Sequence, residues 1–102
     1  MQSRTLTNAQ RAYLRRLAHH LKPVVQIGKQ GLTAPVEASV DEALTAHELI
    51  KVKFMDFREQ KRELTEQLAA ASGSALVGMI GNIAILYRQQ QEPQRRKITL
   101  PA

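Results

Sequence analysis

The sequence has no cysteine and no tryptophan, and its 102 residues include only two tyrosines and two phenylalanines. Without cysteine there are no disulfides and no thiolate metal sites, which suits a reducing compartment. The scarcity of rings argues against a stacking platform built from several exposed aromatics. No stretch reaches the roughly 18 to 20 apolar residues that a membrane span needs. The N-terminal MQSRTLTNAQ lacks an apolar signal core, so no export signal is expected and the cytoplasm is the expected location. Acidic residues are missing from the first third of the chain. Between Met1 and Val36 stand six cations, Arg4, Arg11, Arg15, Arg16, Lys22 and Lys29, and no Asp or Glu. The rest of the chain carries nine charges of each sign, so the net charge of +6 resides in the N-terminal third. A surface of this kind attracts phosphates.

The length suits one domain, and hydrophobic patterning divides it into seven elements. Thr7 and Gln10 have capping-box spacing and open a helix over residues 8–21, which Pro23 ends. Leu14, Leu17, Ala18 and Leu21 form its apolar stripe, with Gln10 and Tyr13 at the margins. Val24 to Ile27, a β-branched run between Pro23 and Gly28, reads as a buried strand. Thr33 caps a second helix that tolerates Pro35 in its first turn and buries Val36, Val40, Ala43 and Leu44. Residues 50–54 alternate, with Ile50, Val52 and Phe54 on one face and Lys51 and Lys53 on the other, which predicts a half-buried strand. A third helix is expected from Asp56, where Asp56 and Glu59 repeat the capping-box spacing, to a stop at Gly73. Residues 75–80 and 83–87 make a hairpin around Gly81 and Asn82.

The expected fold is therefore α/β, in the order α-β-α-β-α-β-β, with a four-stranded mixed sheet and right-handed crossovers. Residues 1–88 make the domain. Residues 89–102 turn polar and Pro-containing without periodicity, and read as a flexible tail or one that orders on a partner.

The strongest local feature is Gly28, Lys29, Gln30 and Gly31 between a strand and a helix start. Glycines let a backbone approach a ligand closely, and the following helix would aim amides and its positive end at the loop. A phosphate suits such a loop; so does the plainer reading of a surface turn with two convenient glycines. At about 100° per residue, Arg11, Arg15, His19 and Lys22 fall on one strip of the first helix, with Arg16 and His20 further round. No acid in that helix pairs with them, although a solvated face remains an alternative. Lys51 and Lys53 could track phosphate or only keep their face wet. Gly78, Met79, Ile80 and Gly81 repeat the glycine spacing inside an apolar strand pair, where Gly78 relieves close packing and Gly81 makes the turn.

Catalytic and metal readings find little support. His19 and His20 diverge by about 100° on a helix, and His47 lies on another. No GxSxG, Walker or GxGxxG motif is present, and nothing pairs a nucleophile with a base.

The run LRRLAHHLKPVVQIGKQGLT, then HELIKVK, then LYR at Leu86 to Arg88 resembles the CRM domain (chloroplast RNA splicing and ribosome maturation), in its stand-alone bacterial YhbY-type form. The resemblance spans about residues 5–88. It implies a fold similar to the C-terminal domain of translation initiation factor three. It also likens Gly28, Lys29, Gln30 and Gly31 to the backbone-clamping loop of KH domains, with Arg11, Arg15, Arg16 and Lys22 as basic neighbours. The function so implied is binding of ribosomal RNA on the large-subunit precursor by a non-catalytic assembly factor; a monomer is expected. It needs no cofactor, metal, small-molecule substrate or membrane. Competing readings are a general nucleic-acid-binding module and a protein-interaction module with a basic face.

Overall fold

The computed structural model describes residues 5–102. Arg4, one of the six N-terminal cations, lies outside them. The elements are α1 (Asn8–Ala18), β1 (Val25–Ile27), α2 (Ala34–His47), β2 (Leu49–Phe54), a 3₁₀ turn at Arg58–Gln60, α3 (Lys61–Ser72), β3 (Ala75–Ile80) and β4 (Ile83–Tyr87), with a second 3₁₀ turn at Pro93–Arg95. The order is the one expected, and the fold is mixed α/β with a four-stranded mixed sheet.

The strands lie in the order β1-β2-β4-β3. β1 runs parallel to β2, joined through α2, while β4 pairs antiparallel with both β2 and β3. α2 and α3 cover one face. There Val40, Leu44 and Leu68 pack on Ile27, Ile50, Val52, Phe54 and Leu86. α1 lies on the other face, where Leu14 and Ala18 pack with Leu49, Val77, Ile85 and Tyr87. Each fully buried aliphatic side chain in these two layers contributes about 1.5–3 kcal/mol.

Covering both faces changes the expected role of β2. Leu49 and Lys51 are buried on the α1 side, so only Lys53 of the supposed wet face is exposed. Lys51 is not available to track phosphate, because its Nζ donates to the Leu21 carbonyl at 3.0 Å and closes the turn after α1.

The ends of the helices also differ from expectation. The Thr7 capping box forms, with Gln10 N donating to Thr7 Oγ1 at 3.1 Å and Thr7 N to Gln10 Oε1 at 3.0 Å. α1 stops at Ala18, however, three residues before the expected end. Leu17 and Leu21 are each 39% exposed instead of buried, and Gln10 is buried in their place. Both leucines line a cleft with Val24, Leu49 and Ile98, since the end of the chain returns to this side. β1 begins at Val25, and Val24 is exposed. α3 begins at Lys61, because the Asp56 carboxylate accepts from the Phe57 amide at 2.8 Å and a 3₁₀ turn intervenes. The Asp56/Glu59 spacing therefore caps no α-helix.

The β3–β4 hairpin has a positive φ of 58° at Gly81 and none at Asn82, which fits a II′ turn. A bulge lies between Leu76 and Gly78. It adds Val77 to the α1 face and lets Gly78 face α1 as well.

The residues after Arg88, expected as a flexible tail, lie along the body. Glu48 is 1% exposed and accepts from the amides of Gln90 at 2.7 Å, Lys97 at 2.7 Å and Ile98 at 3.0 Å. Ile98 and Leu100 then pack on the α1 side, and Gln10 Nε2 donates to the Pro101 carbonyl at 3.0 Å.

Candidate nucleic-acid interface

The glycine loop sits where three strand ends meet. Met55 N donates to Ile27 O at 2.8 Å, and Phe54 N donates to Asn82 O at 2.8 Å. These bonds tie the end of β1 to the end of β2, and β2 to the hairpin turn. The loop itself is a tight turn in which Gly31 N donates to Gly28 O at 3.0 Å. Among the described residues, the amides of Lys29 and Gln30 have no acceptor, and the residues of the apex are exposed. Two outward amides and an ammonium on a mobile stem suit an anion.

The two glycines are not equivalent. Gly31 has φ +72°, a conformation that L side chains resist, and the edge of the Phe57 ring lies 3.5 Å from where its Cβ would stand. Gly28 has open space on its Cβ side. Gly31 shapes the turn, and Gly28 leaves it approachable.

The start of α2 offers less than the sequence suggests. Val36 N is taken by Thr33 Oγ1 at 3.2 Å, and Pro35 has no amide to give. The donors for an anion are therefore those of the turn, more than those of the helix end.

The structure separates the basic residues of the first helix. Arg11 donates through Nη1 to the carbonyl of Leu76 and to that of Val77 at 3.3 Å, so its guanidinium is committed to the bulged strand. Arg15 is exposed, and its stem crosses Gly78, whose Cβ would stand 3.4 Å from Arg15 Cδ. The close packing expected at Gly78 is thus with an arginine. Arg16 is exposed. Lys22 is exposed too, but it follows the helix and lines the apolar cleft, so the strip ends at Arg15.

Strand register adds residues that no local pattern marks. Gln26 pairs with Lys53, Lys53 with Ile83, and Ile83 with Ile80, which sets all four in one row across the sheet. This is the α1 side, beyond the reach of the helix: Gln26 and Lys53 are exposed and Ile80 is 57% exposed. The open row joins Arg15 above Gly78 to the glycine turn after β1. Lys53 showed in the alternation of its strand, but the row required the register.

No three His, Cys, Asp or Glu side chains among the described residues could hold a metal ion. His19 and His20 meet edge to face, with ring centroids 5.0 Å apart. No helix among the described residues is long and apolar enough to cross a membrane.

The turn thus lies between β1 and α2 of a parallel β-α-β unit, beside an open row of the sheet that carries Lys53. The CRS1 / YhbY (CRM) domain model matches residues 6–88, and the chain belongs to this family. It is 44% identical over 98 residues to a Haemophilus influenzae protein named RNA-binding protein, covering 95% of this chain and 96% of the relative. It is 41% identical over 97 residues to Probable RNA-binding protein YqeI of Bacillus subtilis, covering 94% and 99%. The solution structure of the hypothetical protein SAV1595 from Staphylococcus aureus superposes with a TM-score of 0.78 at 39% identity, covering 95% of this chain and all of that one.

Proposed function

We propose that this protein binds RNA by the RNA backbone, using the turn at Gly28, Lys29, Gln30 and Gly31 with Arg15, Arg16 and Lys53. The observation that carries the reading is the turn itself, where two amides without an acceptor among the described residues accompany an exposed lysine, beside an open row of the sheet that carries Lys53. The names of the relatives in Haemophilus influenzae and Bacillus subtilis support RNA as the ligand. Phosphate contacts of this kind fix position and carry little sequence information, so the ligand is structured RNA recognised by its shape and backbone.

The cellular role we assign is a cytoplasmic, monomeric, non-catalytic assembly factor on ribosomal RNA of the large-subunit precursor. A small RNA-binding domain that meets RNA mainly by its backbone suits a chaperone or placeholder. Co-sedimentation with ribosomal particles, before and after RNase treatment, tests it. The protein should travel with large-subunit precursors and be released by RNase. Retention after complete RNA digestion would favour a protein partner, and equal affinity for structured RNA and duplex DNA at fixed salt would favour a general nucleic-acid-binding module.

A further inference from the structure

Phe57 is one of four aromatic residues in the chain, and it stands in a conformation that costs it energy. Its φ is 55° in the left-handed region, where glycine or asparagine sits at lower cost and a bulky residue is an outlier. The Asp56 carboxylate holds it there by accepting from its amide at 2.8 Å. Burial does not account for this placement, because Phe57 is still 37% exposed. The ring lies against the turn, with Cε2 3.5 Å and Cζ 3.8 Å from the position of a Cβ on Gly31. Strained, partly exposed residues of this kind cluster at ligand sites.

We infer that Phe57 is a stacking surface for one unpaired base of the RNA strand whose phosphate the glycine turn holds. The inference rests on the RNA reading above and adds a ligand class to it: single-stranded RNA at this turn, beside the structured RNA met by the cationic face. The phosphate lies at the Lys29 and Gln30 amides, and the base attached to the same stretch of backbone reaches the ring beside Gly31. Stacking of this kind tolerates any base, since each has a π face.

The absence of tryptophan provides the test, because Phe57→Trp would introduce the sole indole. Two ligands are compared, a ten-nucleotide oligouridylate and an abasic ribose-phosphate strand of the same length. Phe57→Leu should weaken binding of the oligouridylate about tenfold or more and leave the abasic strand unaffected. Phe57→Trp should retain affinity, with its emission quenched by the oligouridylate and not by the abasic strand. Thermal melting verifies that Phe57→Leu is folded, and the Trp measurement stands by itself if it is not. Equal losses on both strands would make the ring a buttress of the turn and overturn the inference, as would unquenched indole emission in the bound complex. In either case undiminished sensitivity to Lys29→Glu would leave the RNA reading intact. Failure of the wild type to bind both strands and structured RNA would overturn both.

Discussion

The two ends of the sheet satisfy their polar groups in opposite ways. At the Glu48 end a buried carboxylate accepts from three amides of the returning chain. Beside it, Arg88 Nη1 meets Asp41 Oδ1 at 2.7 Å and the Ser72 carbonyl at 2.8 Å, joining α2 to the end of α3. At the glycine end, two amides and the cations of Lys29 and Lys53 face solvent. A charged group enclosed by donors is a fastening, because no ligand can reach it. Charged groups and amides left open can exchange water for phosphate. The Glu48 end should therefore govern stability, and the glycine end binding.

The largest effect is expected at Glu48. Glu48→Ala leaves three amides without their carboxylate, and hydrogen bonds to a charged group contribute about 1.5–3 kcal/mol each. A loss of about 3 kcal/mol should lower the melting temperature by roughly 12–24 °C. Hydrogen exchange should show the amides of Gln90, Lys97 and Ile98 opening first, while the folded variant still binds RNA. Glu48 also has φ 64°, so Glu48→Gly separates the two contributions by relieving the backbone while removing the carboxylate. If neither variant shifts the melting curve, the fastening assigned to this end is wrong.

Lys29→Glu should give the converse result. Affinity for structured RNA should fall by about tenfold or more and the slope of log affinity against log salt should become shallower by about one, with melting nearly unchanged. Isothermal titration at several salt concentrations measures both. An unchanged slope would move the phosphate contact away from the turn.

Smaller effects sharpen the contrast within each end. Gly31→Ala should cost about 1–2 kcal/mol of stability through its positive φ, whereas Gly28→Ala should stay within about 0.5 kcal/mol and weaken binding only by crowding the approach. Chemical denaturation beside RNA titration distinguishes them, and equal stability losses would contradict the separate roles. Between the two arginines, Arg15→Gln should reduce the salt slope by about one, while Arg11→Gln should leave the slope near its original value and cost about 1 kcal/mol. A slope change confined to Arg11 would reverse the assignment.

Much of this fold was legible in the sequence, and apart from Asp56, whose carboxylate is taken locally by the Phe57 amide, the residues that were not fail for one shared reason. Helix caps, the hairpin turn and the order of elements depend on neighbours within four residues, so Thr7, Thr33, Gly73 and Gly81 act as their types suggest. Lys51, Leu17 and Leu21 depend on what lies opposite. α1 buries Lys51, and the early end of that helix with the returning chain leaves both leucines at a cleft. Glu48 carries no local signal, because its three donors come from residues 90–98, beyond any pattern of spacing. The glycine turn was visible as a motif. The row of Gln26, Lys53, Ile83 and Ile80 and the ring of Phe57 beside Gly31 arise from register and tertiary contact, which spacing along the chain does not encode.

The hold of Arg11 on the carbonyls of Leu76 and Val77 has a consequence for solubility. Among the described residues no strand pairs with the outer side of β3, and the outward-facing backbone groups of its six apolar or small residues form a template onto which another chain could add a strand. The guanidinium occupies two carbonyls of β3, and the bulge at Val77 breaks the spacing that an incoming strand would need. β1, at the opposite edge, has only three residues and offers little purchase. Arg11 of α1 thus blocks the edge against an added strand, and the loss of that side chain should shorten the concentration range over which the protein remains monodisperse.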